Sequence, residues 1–270
     1  MSNKEYILGA NEKELNRLKI QHGVWLSEAR RGWKIAEFGI DQTILDLGSG
    51  PGYCSQELAR MVGENGRVIS VDKSELFIKH LDLIKQKENI PIEPILADFD
   101  MLTLDSNILN GVYCRWALAW IPNPKEILKK ISDALAPKGR MVIQEYYDWS
   151  THQTNPVMPA LKRAIGASLK SFKDSDSEID IGSYLTQYLT EIGLKIISIR
   201  LMPKLAVPGS ELWKWPVTFY ESYFPRLVSM GYINDDDLED AKKDIKKLEA
   251  ISYSTICCPL MVEVIAEKNN

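Results

Sequence analysis

The sequence predicts an α/β fold, a mostly parallel and doubly wound sheet with helices on both faces. Three observations carry that prediction. From Ile44 to about Tyr147, short β-rich runs alternate with helical stretches. Those runs are almost continuously apolar, as strands covered on both faces must be. The first run opens into "GSGPG", Gly48 to Gly52, and each of the next two runs ends on an aspartate.

Each element follows in order. "NEKELNRLKIQHGVWLSEARRGW" places Leu15, Leu18, His22, Trp25, Leu26 and Ala29 on one face at helical spacing. Strands are expected at "TILDLG" (43–48), "RVISVD" (67–72), "IEPILAD" (92–98), "GVYCRW" (111–116) and "RMVIQEYY" (140–147). Helices are expected near 53–62, 74–87 and 124–135. A Pro-punctuated loop and helix follow over 148–172, then a helix, a Gly193 cap and a sixth strand over 181–202. Residues 209–252 are aromatic and then charged, and predict two inserted helices. "STICCPLMVEVIAEK" reads as one long β run too apolar for a sheet edge. Organisation as a single domain is expected: an N-terminal helical segment (1–40), a core (41–150), and further strands with helical insertions near 152–175 and 209–252.

Composition narrows the function. The 45% hydrophobic and 26% charged content is that of a soluble globular chain, with no run near the length of a membrane span. A polar N-terminus without a signal-type apolar region makes cytoplasmic residence the expectation. A net charge of −4 with no dense basic tract argues against nucleic acid as partner. Cys54, Cys114, Cys257 and Cys258 form no CxxC and suit buried positions in a reducing compartment, with no metal expected.

A glycine turn between a strand and a helix lets a ligand meet backbone N–H groups, although a tight turn alone would also use glycine. Tyr53 stands where a dinucleotide fingerprint needs its third glycine, and no Gly-Lys-Ser/Thr follows. Asp72 lies at the end of the second strand, where an acid can accept two ribose hydroxyls. Asp98-Phe99 offers a carboxylate and a ring at the same edge. Asp46, inside an apolar strand, is costly unless something pairs with it.

With "LDLGSGPG", "VDKS", "LADFD" and "LKKISDALAPKGRMVIQEY", the chain resembles the class I S-adenosylmethionine-dependent methyltransferases, strongly over 40–147. It is most similar to the small-molecule branch that includes quinone-biosynthesis methyltransferases. "YILGANEKELNRLKIQ" and "EYYDWS" look like a bacterial subgroup of that branch. The resemblance implies a seven-stranded Rossmann-like sheet of order 3-2-1-4-5-7-6, its last strand antiparallel. It implies S-adenosylmethionine as cofactor and S-adenosylhomocysteine as product. Gly48, Ser49, Gly50 and Gly52 would meet the methionine portion, and Asp46 its amino group. Asp72 would take the ribose, Lys73 and Asp98 would lie beside the adenine, and Phe99 against its ring. Arg115 and Trp116 would lie near the methionine end and the methyl group. Phe99 and Trp116 each have a second explanation as core packing.

The acceptor belongs beyond the carboxyl ends of strands four and five. A base is needed only if the acceptor must lose a proton, and Glu145 and His152 are the candidates, with Asp148 behind them. Tyr146 and Tyr147 alternate, so one faces the crevice, and Tyr147 is taken here with Trp25, Tyr220 and Tyr223 as acceptor contacts. The run after strand four reads Cys114-Arg115-Trp116-Ala117 rather than the Asn/Asp-Pro-Pro-aromatic run of enzymes that methylate DNA adenine or protein amides. A small-molecule acceptor is therefore expected. Three alternatives stand beside it: a non-catalytic binder of the cofactor, a cofactor-assisted reaction without methyl transfer, and an NAD-dependent oxidoreductase, which Tyr53 contradicts.

Overall fold

The structure, a computed structural model, describes residues 12–175 and 177–270; the opening of the "YILGANEKELNRLKIQ" motif, 6–11, lies outside the described residues. In chain order the elements are α1 (Glu12–Ile35), β1 (Thr43–Leu47), α2 (Tyr53–Val62), β2 (Arg67–Asp72), α3 (Glu75–Glu88) and β3 (Ile92–Leu96). Then come β4 (Leu109–Arg115), α4 (Pro124–Ala134), β5 (Leu135–Asp148), β6 (Gln153–Asn155), α5 (Pro159–Lys173) and α6 (Leu185–Glu191). The remainder is β7 (Leu194–Met202), β8 (Leu205–Ala206), α7 (Glu211–Ser229), α8 (Asp235–Ala250), β9 (Thr255–Cys257) and β10 (Leu260–Lys268).

The main sheet runs β3-β2-β1-β4-β5-β10-β7. Only β10 is antiparallel to its neighbours, so the expected order holds, with β10 as seventh strand and β7 as sixth. Successive strand residues point to opposite faces, and each face has its own core. Ile44, Val68, Tyr113 and Val142 pack under Trp33 and Leu58; Leu45, Ile69, Val112 and Ile143 pack under Leu128 and Ile131.

The terminal apolar run corrects the expectation of one long strand. β9 pairs with β6 and β8 in a separate three-stranded sheet, and only β10 enters the main one. Pro259 marks the break, since it has no N–H to give to either ladder.

Helix α1 is held to the sheet by charge. Glu28 meets Arg200 at 2.7 Å and Lys204 at 3.1 Å, Arg200 reaches Glu263 at 3.1 Å, and Gln144 Nε2 donates to Glu263 at 2.7 Å. Glu263 is fully buried, but its carboxylate is paired and hydrogen-bonded, the condition under which a buried charge is tolerated. The N-terminal half of α1 is thereby aimed over the carboxyl ends of β4 and β5.

Candidate functional site

The glycine turn is shaped by its neighbours. Gly48 and Gly52 both have positive φ, and a Cβ there would lie 2.3 Å from Ala117 Cβ and 2.2 Å from Leu81 Cδ1. Backbone conformation and packing together therefore call for glycine at these two positions. At Gly50 a Cβ would meet nothing within 4 Å, so the third leaves bare backbone facing open space. Asp72 braces that surface, its two carboxylate oxygens accepting from Gly50 N and Ser74 N, each at 2.8 Å. Each oxygen keeps a second acceptor direction for a hydroxyl.

Behind the turn, Asp46 is almost fully buried and accepts from Ser55 Oγ at 2.6 Å. Burial pushes its carboxyl up to about 6, against the opposing pull of Ser55 and Arg115. Arg115 donates Nη2 to Cys54 Sγ at 3.3 Å and stacks 4.9 Å from the Trp116 ring. Its Nη1 is buried with no hydrogen-bond partner among the described residues. A buried guanidinium N–H beside a buried carboxyl suits a ligand with both an acidic and an amino group. Phe99 sits against Gly48 and is also part of the core, so its two explanations coexist. Asp98 and Lys73 are exposed at the neighbouring strand ends.

A cavity of about 50 Å³ lies past the end of β4. Its walls come from α1 (Arg17, Gln21), the ends of β4 and β5 (Trp116, Trp120, Tyr146, Trp149, His152), α5 (Phe172) and α7 (Trp215, Pro216, Phe219), with Ile179 and Pro259. Trp116 stacks between Trp215 (5.8 Å) and Tyr146 (5.9 Å). Trp116 has φ 56°, a left-handed backbone that a bulky residue adopts only where its surroundings impose it. The polar groups of this wall are largely committed. Gln21 Oε1 accepts from Arg17 Nη1 and Trp215 Nε1, both at 3.0 Å, and Arg17 makes a buried bidentate pair with Glu14.

Several expected residues sit elsewhere. Tyr147 is exposed and does not line the cavity; Tyr146 does. A register break opposite Leu260 and Met261 leaves Tyr147 unpaired, on the other face of β5 from Tyr146. Glu145 shares that other face and is absent from the cavity wall, so it is not placed to take a proton there. His152 does line the wall, but both its ring nitrogens are engaged. Nδ1 donates to the Cys257 carbonyl at 2.9 Å, so Nε2 is the bare nitrogen and accepts from Tyr220 OH at 2.8 Å. Burial lowers its pKa to about 4, and no lone pair is left for an acceptor's proton. Trp25, Tyr220 and Tyr223 form a second layer: Trp25 packs edge-on to Trp116 and Trp215, and Tyr223 bonds Ser171 at 2.8 Å. The first-layer residues of α7 carried a signal in the sequence, because Trp215 and Phe219 are spaced i, i+4 and share a helix face.

Comparisons with known proteins bear on the family and the fold. Residues 40–193 match the family described as Methyltransferase domain. The chain is 28% identical over 149 residues to the ubiquinone/menaquinone biosynthesis C-methyltransferase UbiE of Escherichia fergusonii, covering 51% of this chain and 55% of that protein. It is 25% identical over 189 residues to methyltransferase str2 of Strobilurus tenacellus, covering 68% of this chain and 64% of that one. The chain thus spans less than two thirds of either relative. Among solved structures, a candidate methyltransferase of Bacillus halodurans superposes with a TM-score of 0.61 at 14% identity, over 90% of this chain and all of that one. The Haemonchus contortus phosphoethanolamine N-methyltransferase 2, in complex with S-adenosyl-L-methionine, gives 0.56 at 16% identity, over 89% of this chain and 53% of that one. Both structural likenesses speak to the fold. Among the described residues no helix is long and apolar enough to cross a membrane.

Proposed function

The chain belongs to the methyltransferase-domain family of class I S-adenosylmethionine-dependent enzymes, and from that premise we propose that it transfers a methyl group to a small, largely apolar molecule. One observation carries the reading. The turn after β4 faces both sites, with Ala117 against Gly48 of the glycine loop and the Trp116 ring in the wall of the aromatic cavity.

In this reading the bound cofactor supplies an electrophilic methyl on its sulfonium, and the protein's task is alignment. The bare backbone at Gly50, with Ser49, lies along the methionine portion. Asp46 receives its amino group, and the unpartnered Arg115 Nη1 its carboxylate. Asp72 accepts the ribose hydroxyls, and Phe99, Asp98 and Lys73 flank the adenine. Trp116 would flank the methyl group where donor and acceptor meet, and the surrounding rings would exclude water and orient the acceptor's apolar body. With His152 committed on both nitrogens, the acceptor must be nucleophilic without a strong base, and positioning supplies the rate. Incubation with S-adenosylmethionine and a metabolite extract should yield S-adenosylhomocysteine and a methylated product; an extract that gives neither would defeat the proposal.

Two further outcomes are expected. Asp72→Ala should weaken S-adenosylhomocysteine binding by about 1–3 kcal/mol, leaving ribose hydroxyls without a charged acceptor. Calorimetry reads this directly, and unchanged affinity would remove Asp72 from the ribose site. The second concerns access. A cavity of about 50 Å³ is far below the roughly 300 Å³ of a small-molecule pocket, so α1 and α7 must part to admit an acceptor. Their amides should exchange faster than those of β1, β4 and β5, and S-adenosylhomocysteine should slow them. Equal protection in helices and sheet would make α1 and α7 fixed walls.

A further inference from the structure

We infer that Glu145 is a positioning residue that sets the Trp116–Leu118 turn and through it holds the donor loop and the acceptor cavity in register. This rests on the reading of those two sites given above.

The β4 ladder ends at Trp116, whose N–H still reaches the Gln144 carbonyl at 3.2 Å. From Ala117 the chain leaves the sheet, and its next two amides have no strand to bond. Glu145 replaces the strand: its Oε1 accepts from Ala117 N and Leu118 N, both at 2.9 Å. Glu145 is itself fully buried, so an apolar side chain there would strand two amide donors away from water. The residue just before those amides is Trp116, in its left-handed conformation. Two anchors flank that conformation: the Glu145 bonds on its C-terminal side, and the bond from Trp116 Nε1 to Met261 Sδ at 3.0 Å.

Both sites depend on this turn. Displacing it moves the Trp116 ring out of its stack with Tyr146 and Trp215. It also moves Ala117, whose methyl fills the space beside Gly48. A single carboxyl on the far face of β5, absent from the cavity wall, therefore fixes the relative placement of the two sites.

The test compares Glu145→Gln and Glu145→Ala with the unaltered protein. Three readouts are used: S-adenosylhomocysteine affinity by calorimetry, near-ultraviolet circular dichroism of the tryptophan stack, and far-ultraviolet dichroism as a check on folding. The glutamine carbonyl oxygen can accept the same two N–H groups. Glu145→Gln should therefore keep the near-ultraviolet spectrum and bind within about threefold of the unaltered protein, whereas Glu145→Ala should lose about tenfold or more and change the spectrum. If the alanine variant does not fold, amide exchange at Ala117 and Leu118 in Glu145→Gln decides, with retained protection expected. A folded Glu145→Ala with unaltered affinity and spectrum would overturn the inference, as would a folded Glu145→Gln that has lost the stack or the protection. Should the unaltered protein itself fail to bind S-adenosylhomocysteine, the donor site is misread, and the spectral and exchange arms still decide the role of Glu145.

Discussion

Replacing Gly48 with alanine is expected to weaken S-adenosylhomocysteine binding about a hundredfold. Two effects add. Alanine at the φ of 74° seen there costs about 1 kcal/mol. Its Cβ would also stand 2.3 Å from Ala117 Cβ, far inside contact, and such overpacking costs about 1–3 kcal/mol. The free protein relieves this strain by letting the loop move, and binding must bring the loop back, so the strain appears as lost affinity. Adding Ala117→Gly removes the clash but not the backbone cost. The double variant should recover about tenfold in calorimetry. A double variant no better than Gly48→Ala would show that the Ala117 contact does not shape the donor seat.

Glu145→Gln is expected to gain stability relative to the unaltered protein as the pH rises. Burial pushes the Glu145 carboxyl up to about 8, from an ordinary value of 4.5, against the two amides that favour its ionised form. A folded pKa above the unfolded one means that the native state holds a proton the unfolded chain has released. The contribution is therefore fully present below pH 4.5, and it declines until the pH passes about 8. Glutamine does not titrate and escapes the decline, which is on the order of a few kcal/mol across that window. Denaturant midpoints at pH 5 and pH 8.5 should show the two proteins diverging, with glutamine ahead at the higher pH. His152 carries the opposite dependence. Its neutral form is held in the fold down to about 4, so its contribution grows from that pH toward its ordinary 6.5. It is common to both proteins and cancels in the comparison. Parallel curves would mean that Glu145 is already ionised in the native state.

The glycine turn and the strand ends beside it were legible in the sequence because their constraints are local. Bare backbone shows as glycine, and strand ends show as Asp72 and Asp98 after apolar runs. The acceptor side was less so, because its walls are long-range. His152 is committed by Tyr220 from α7 and by the Cys257 carbonyl from β9, neither of which spacing reveals. The choice between Tyr146 and Tyr147, which alternate along β5, turned on which face of that strand meets the cavity, and that is set by the distant segments that form its walls. The left-handed Trp116 has no signature, since nothing in "CRWALAW" replaces a bulky residue with glycine. Pro259 was in plain view, but the apolar letters on both sides of it read as one strand.

The placement of β10 has a consequence for how the molecule assembles. Val264 pairs with Ile143 on one side and Ile199 on the other, so the centre of this half of the sheet is filled by a segment remote from both. β5 keeps an open flank, and β7 has no partner in the main sheet, until 260–268 fills the gap between them. Contacts so distant along the chain are slow to form. Meanwhile Met141, Val142 and Ile143, fully buried once assembled, lie along an unpaired edge. Refolding at high protein concentration therefore sets the closing of that gap by 260–268 against pairing of the same edge with another molecule.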